Sequence, residues 1–377
     1  MTTTNIEPFE ETDDSAGDIG THITNPFSTK DIKITNATIL LPSLIRRLEL
    51  GEIDLNPDFQ RHSDLWNTHK MSRLIESILL KLPLPVFYFD VANADKWIVV
   101  DGLQRLSTIN RFFVKKNLKL KNLEFLTHLD GQMHDDLDRS LQRTIDDTQF
   151  MTYQIEAQTP KKVRYSIFNR INTGGLSLNA QEIRQALNQE GNGIEKASGV
   201  KFLGRVVEEE IFKRVVGISN KRMAGQELVL RFIAFKIIED DKFTIMSEFL
   251  DLAMEEIDKK SAQELQQLKG QLIDVLNFSE QVLGEEHKFS RSIADSQKNK
   301  LVNKSLFDVL TVCLDEIEDK PSFINKKESF KAKLIDLLND ETSKFFESIT
   351  KGTSSKKAKD IRFKTIRALI QEVIREN

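Results

Sequence analysis

The stretch VVDGLQRLSTINRFF, residues 99–113, decides how the first half of the chain is read. An apolar run ends on Asp101, a glycine follows, and apolar positions then recur at helical rather than alternating spacing, which predicts a strand, a turn and a helix. Leu103, Leu106, Asn110 and Phe113 trace one stripe of that helix with Ile109 beside it, while Gln104, Thr108 and Arg111 lie on another. A strand that turns through glycine into a helix presents unpaired backbone N–H groups to an anion. Gly102 lets the backbone approach a ligand, Arg105 is a fixed cation with five donors, Asp101 can hold a metal or a ribose hydroxyl, and Gln104 can position a water. The same residues also satisfy a purely structural account, in which Asp101 caps the helix, Arg105 pairs with it one turn on, and Gln104 is solvated.

Upstream, PVFYFDV and KWIVVD flank the turn-rich ANAD and predict a hairpin that delivers Asp101. Before it, Met71, Leu74, Ile75, Ile78, Leu79 and Leu82 make one apolar stripe and predict a helix over 67–82. ATILLPSLIRRLELGEI, residues 37–53, predicts a short strand and a helix that stops at Gly51. Downstream, a charged helical section to Asp147 leads to the strand FMTYQIE and then to a helix that starts near Pro160. That helix closes on TGG, and a new one is capped by Asn179 with Glu182 three residues on, the spacing of a capping box. From about residue 195 only amphipathic helices are expected, among them GQELVLRFIAFKII, SEFLDLAMEEI, ELQQLKGQLIDVL, SFKAKLIDLLNDETSKFFESI and DIRFKTIRALIQEVI.

The fold class expected is therefore α+β: a mixed domain with a small sheet over 34–195, then an all-α domain over 196–377, with the breaker-rich stretch EGNGIEKASG between them. Residues 1–33 read as a disordered acidic tail, since the first 29 hold Glu7, Glu10, Glu11, Asp13, Asp14 and Asp18 and no Lys or Arg. Of 377 residues 39% are hydrophobic and 30% charged, with a formal charge of −4, which excludes a basic protein that coats DNA. The one cysteine, Cys313, sits in the apolar run LFDVLTVCL and reads as a core thiol, and the absence of apolar runs or a signal peptide leads us to expect a cytoplasmic protein without a membrane partner. Residues 351–377 carry eight basic and three acidic residues, so they suit either DNA phosphates or a solvated helix face.

Three segments, LNPDFQRHSDLWNTHKMSRLIESILLKLPLPVFYFD, WIVVDGLQRLSTINRFF and IFNRINTGGLSLNAQEIRQAL, in this order and at these spacings, resemble the N-terminal domain of GmrSD-type restriction endonucleases over about residues 35–240. That resemblance implies a ParB/sulfiredoxin-like fold and a module of prokaryotic defence that binds, and often hydrolyses, a nucleoside triphosphate with Mg²⁺. It implies catalytic roles for Asp101, Gln104 and Arg105, with Asp101 on the metal. It places the nucleotide among Arg61, Gly102, Thr108, Asn172, Thr173, Gly174 and Gly175. DNA and a separate nuclease subunit are the further partners it implies, with a ParB-like DNA-binding or adaptor protein without catalysis as the alternative. The chain departs from the family motif at Leu103, where relatives carry a glutamine, so binding can outlive hydrolysis. It also lacks the ligands of a His-Asn-His nuclease: His287 is the one histidine beyond residue 140, and His62 and His69 fit no metal motif and read as structural or surface residues. No P-loop, H-E-x-x-H, C-x-x-C or G-x-S-x-G occurs.

Overall fold

The computed structural model describes residues 9–10, 12, 31–55, 66–171, 179–188, 199–218, 220–285, 287–293 and 300–376. They form two compact units, an α/β unit over 23–190 and a helical unit that joins 1–22 to 191–377.

In the α/β unit the order is β1 (Ile34–Leu40), α1 (Leu41–Glu49), β2 (Ile53–Asp54), α2 (Thr68–Leu79), β3 (Phe87–Asp90), β4 (Trp97–Asp101), α3 (Leu103–Ile109), α4 (Arg139–Asp146), β5 (Gln149–Ile155), α5 (Lys161–Ile171) and α6 (Ala180–Asn188). The strands make one mixed sheet in the order β1-β5-β3-β4-β2. β3 and β4 are the expected antiparallel hairpin, with an irregularity between Tyr88 and Phe89, and β5 runs parallel to β3 and antiparallel to β1. Alternation along the strands turns Phe87, Phe89, Trp97, Val99 and Phe150 into a core shared with Leu44 of α1, Ile75 and Ile78 of α2 and Leu106 of α3. The other face carries Asp90, wholly buried and paired with Arg164 of α5 at 3.0 Å.

Two helices depart instructively from their spacing. α2 is capped by Asn67, whose side chain accepts from Lys70 N at 2.9 Å, but ends at Leu79; Lys81 then takes a positive φ and Leu82 leaves the apolar stripe, 48% exposed. α3 gives way to a π-helical turn over Asn110–Val114, whose wider winding lets the adjacent Phe112 and Phe113 both enter the core and pack edge-on against each other and His134. The capping box of α6 forms as expected, with Glu182 N donating to Asn179 Oδ1 at 2.9 Å and Asn179 N to Glu182 Oε2 at 2.7 Å.

The helical unit contains α7 (Gly199–Val207), α8 (Glu210–Val216), α9 (Ala224–Ile237), α10 (Met246–Ile257), α11 (Ala262–Leu283), α12 (Lys304–Asp315), α13 (Lys320–Asn325), α14 (Lys327–Asn339), α15 (Lys344–Thr350) and α16 (Lys356–Arg375), and no strand longer than an isolated bridge among the described residues. The run SFKAKLIDLLNDETSKFFESI is two helices, not one, because Asp340 accepts from Thr342 and the Ser343 hydroxyl caps α15 from Phe346 N at 3.0 Å. Cys313 is buried, which pushes its thiol up to about 12. The acidic tail does not stand wholly apart: Phe9 is buried in the helical core, and Glu10 N donates to Val302 O at 2.9 Å. Three of the basic residues of 351–377 are used inside the unit. Arg362 is fully buried and donates to the carbonyls of Ser348 and Thr353, Lys359 pairs with Asp240 and Asp360, and Arg367 pairs with Glu316.

Candidate functional site

The hairpin ends where β4 delivers Asp101 to the start of α3. Gly102 makes the turn with φ +103°, and a Cβ there would lie 2.4 Å from Phe87 Cδ1, so both backbone angle and space demand glycine. The turn brings Asp101, Gln104 and Arg105 together, but the three are engaged very differently.

Arg105 is 7% exposed. Its Nη1 donates to the carbonyl of Pro85, and its Nη2 donates to Val86 O at 3.0 Å and to Asp101 Oδ2 at 3.1 Å. The guanidinium lies over the Phe87 ring at 4.3 Å. Burial lowers its pKa, and the Asp101 carboxylate works against that shift. A cation held this way organises its neighbours: it ties the segment before β3 to the junction and fixes one oxygen of Asp101.

Asp101 keeps 39% of its side chain exposed and does not cap α3. Among the described residues it is Oδ2 that is engaged, by Arg105. Gln104 is half-buried, and its Oε1 accepts from Trp66 N at 3.1 Å, so its side-chain amide is oriented. Thr108 is fully buried and donates to Gln104 O at 2.8 Å, so its hydroxyl turns back into its own helix and away from the junction. Leu103 packs against the core, as the helical spacing suggested. Arg61, His62, Asn172, Thr173, Gly174 and Gly175 lie outside the described residues. His69 is exposed and accepts from Arg73 Nε at 3.3 Å, in keeping with a surface role.

Among the described residues no group of three or more His, Cys, Asp or Glu side chains could hold a metal by itself. A lone carboxylate still suits Mg²⁺, which is commonly held by one or two carboxylates and completed by substrate phosphates and water. Asp101, part-exposed and with one oxygen fixed by Arg105, fits that requirement.

Sequence reasoning missed two parts of this neighbourhood. The carbonyls of Pro85 and Val86 fill Arg105, a contact that nothing in local spacing announces. Tyr88 stands opposite Asp101 in the sheet, and its place in the alternation of PVFYFDV was the available signal.

An α+β domain with an acidic and amide-bearing junction at a strand end is the class this geometry defines. Residues 43–188 match the family described as GmrSD restriction endonuclease, N-terminal domain. This part of the chain is similar to that N-terminal domain. The match runs from α1 to the last residue of α6 and contains the whole junction. No curated protein and no solved structure matches the chain. No helix among the described residues is long and apolar enough to cross a membrane.

Proposed function

We propose that the chain is a cytoplasmic, nucleotide-binding and nucleotide-hydrolysing component of a prokaryotic restriction or anti-phage system, and that its α/β unit has the ParB/sulfiredoxin-like fold. The observation that carries this reading is the Asp101 carboxylate, half exposed and anchored through one oxygen, beside the oriented amide of Gln104 inside the segment that matches the family.

Asp101 would hold Mg²⁺ through its carboxylate, and the ion would offset the charge of a triphosphate. The Gln104 amide would donate to the attacking water or to a phosphate oxygen. Arg105 would act through Asp101, holding its carboxylate in place. Gly102 gives a phosphate access to the backbone, and Arg61 with Asn172, Thr173, Gly174 and Gly175 would complete the nucleotide's surroundings; Thr108 supports the helix. Nucleotide occupancy would then change contact with DNA or with a separate nuclease. A separate subunit is the economical choice, since buried His287 offers no nuclease centre.

Purified protein incubated with each nucleoside triphosphate and Mg²⁺ is expected to bind at least one and release phosphate. Asp101→Asn should lower turnover by about 10²-fold or more, a loss typical of removing a charge aimed at the reacting phosphates. Absence of both binding and turnover with every triphosphate overturns the reading.

Leu103 and the internal engagement of Arg105 favour a second reading, a ParB-like DNA-binding or adaptor protein in which the junction is scaffold. In that case Asp101→Asn leaves binding to DNA or to a partner protein unchanged.

A further inference from the structure

One edge of the sheet is left open. β1 stands at the end of the strand order and, among the described residues, pairs with β5 alone. Leu41 N donates to Thr148 O at 2.8 Å and Glu156 N to Lys33 O at 3.0 Å, so the odd-numbered residues of this antiparallel ladder turn their backbone groups toward β5. Ile34, Asn36, Thr38 and Leu40 therefore turn theirs outward, and all four are exposed, Ile34 and Leu40 by 43% each. Edge strands are ordinarily blunted by a charge, a proline or a bulge, because an open row of N–H and C=O groups invites another strand. ITNATIL contains no Lys, Arg, Asp, Glu or Pro, and its register with β5 is unbroken along all seven residues.

The strand is also complementary to itself. A two-fold axis through Ala37 sets Asn36 opposite Thr38 of a second copy and Ile34 opposite Leu40. These are the residues whose backbone groups face outward, so they take the hydrogen-bonded positions of a new antiparallel ladder. Ala37 then meets its own copy at the closely spaced, non-hydrogen-bonded position, where a small side chain fits. About six backbone hydrogen bonds form, since the Leu40 carbonyl already serves as N-cap of α1. Ile34 and Leu40, the exposed large apolar side chains of the strand, cover each other across the pair. Lys33, the charge next to the strand, stands roughly 27 Å from its copy, so no like charges meet. We propose that β1 is a self-association edge, through which two copies of the chain join their sheets into one continuous sheet about a two-fold axis at Ala37. Seven residues a side are fewer than the roughly 20–30 of a standard interface, so the dimer is weak and depends on concentration. The proposal is independent of the nucleotide reading above.

Sedimentation velocity of the full chain across a concentration series tests it. Wild type is expected to shift from monomer toward dimer as concentration rises. Asn36→Lys combined with Thr38→Lys sets like charges against each other on both sides of the axis and should weaken self-association by about tenfold or more, as should Asn36→Asp combined with Thr38→Asp. The changed positions are exposed, and mixing the two double variants should restore the dimer, because each lysine then faces an aspartate of the other chain. A wild type that stays monomeric up to its limit of solubility overturns the proposal and leaves the edge to an extended segment of another protein. A lysine double variant that dimerises like wild type also overturns it, by placing the interface elsewhere. Failure of the mixed variants to associate overturns the register about Ala37.

Discussion

At the residue scale the junction turns on Gly102 and Arg105. Both accounts of Arg105 allowed by the sequence, a phosphate cation and a partner for Asp101, relied on local spacing, and the ion pair at four residues was legible from it. The carbonyls of Pro85 and Val86 were not, because a contact across 20 residues depends on where the hairpin brings the chain back. Gly102 was legible as a turn residue, but the reason it excludes other residues lies in the Phe87 ring. Gly102→Ala should combine the strain of a positive φ with a clash against a core ring and cost about 2–4 kcal/mol. Urea unfolding that shows a lowered midpoint with an unchanged slope would bear this out, and a midpoint equal to wild type would show that Phe87 can move aside.

At the scale of elements, periodicity placed the strands and helices of the α/β unit well, since each buries one face, but it is silent on what polar residues within them do. Glu76 lies in α2 beside the apolar stripe and is 2% exposed. Its carboxylate accepts from the backbone N–H groups of Glu124 at 3.1 Å, Phe125 at 2.7 Å and Leu126 at 2.8 Å. The charge pins a loop about 50 residues away, and only the folded path of 115–126 reveals why an acid belongs there. Glu76→Ala would strand those three donors and is expected to cost about 3 kcal/mol or more, with Glu76→Gln retaining part of the difference. Amide hydrogen exchange should rise at 124–126 in the alanine variant; protection equal to wild type would show that the loop is held by other contacts. The π turn after α3 was equally hidden, because Phe112 and Phe113 cannot share one face of a regular helix and the chain resolves the conflict by widening.

At the scale of the whole molecule, the hydrophobic pattern foresaw mixed α and β elements, and the α/β unit ends at Glu190. What it did not foresee is that part of the acidic tail belongs to the helical unit. The Glu10 carboxylate accepts from Ser290 Oγ at 2.9 Å, Arg291 N at 2.8 Å, Asn303 Nδ2 at 3.2 Å and the Arg291 guanidinium, and Lys304 lies over the Phe9 ring at 4.2 Å. These are single polar and aromatic residues without periodicity, so no pattern within the tail could announce them. The helical unit also contains a buried titratable group that sets its acid limit. His287 is held to Gly284 O through Nδ1 at 2.7 Å, its buried Nε2 has no hydrogen-bond partner among the described residues, and burial lowers its pKa to about 4. The folded protein thus resists a proton that the unfolded chain accepts near pH 6.5, so stability present above that pH is lost as pH falls toward 4, by about 3 kcal/mol. His287→Phe should flatten the part of the stability profile between pH 6.5 and 4 relative to wild type; parallel profiles would refute the assignment.

Because Phe9 and Val302 meet, the helical unit brackets the α/β unit along the chain. During synthesis, residues 23–190 are made before the rest of the helical unit, and Glu10 must wait for nearly three hundred more residues to emerge before it can meet Asn303. Closure of the helical unit around Glu10 is thereby postponed until the chain has been made through Asn303, after the whole of residues 23–190.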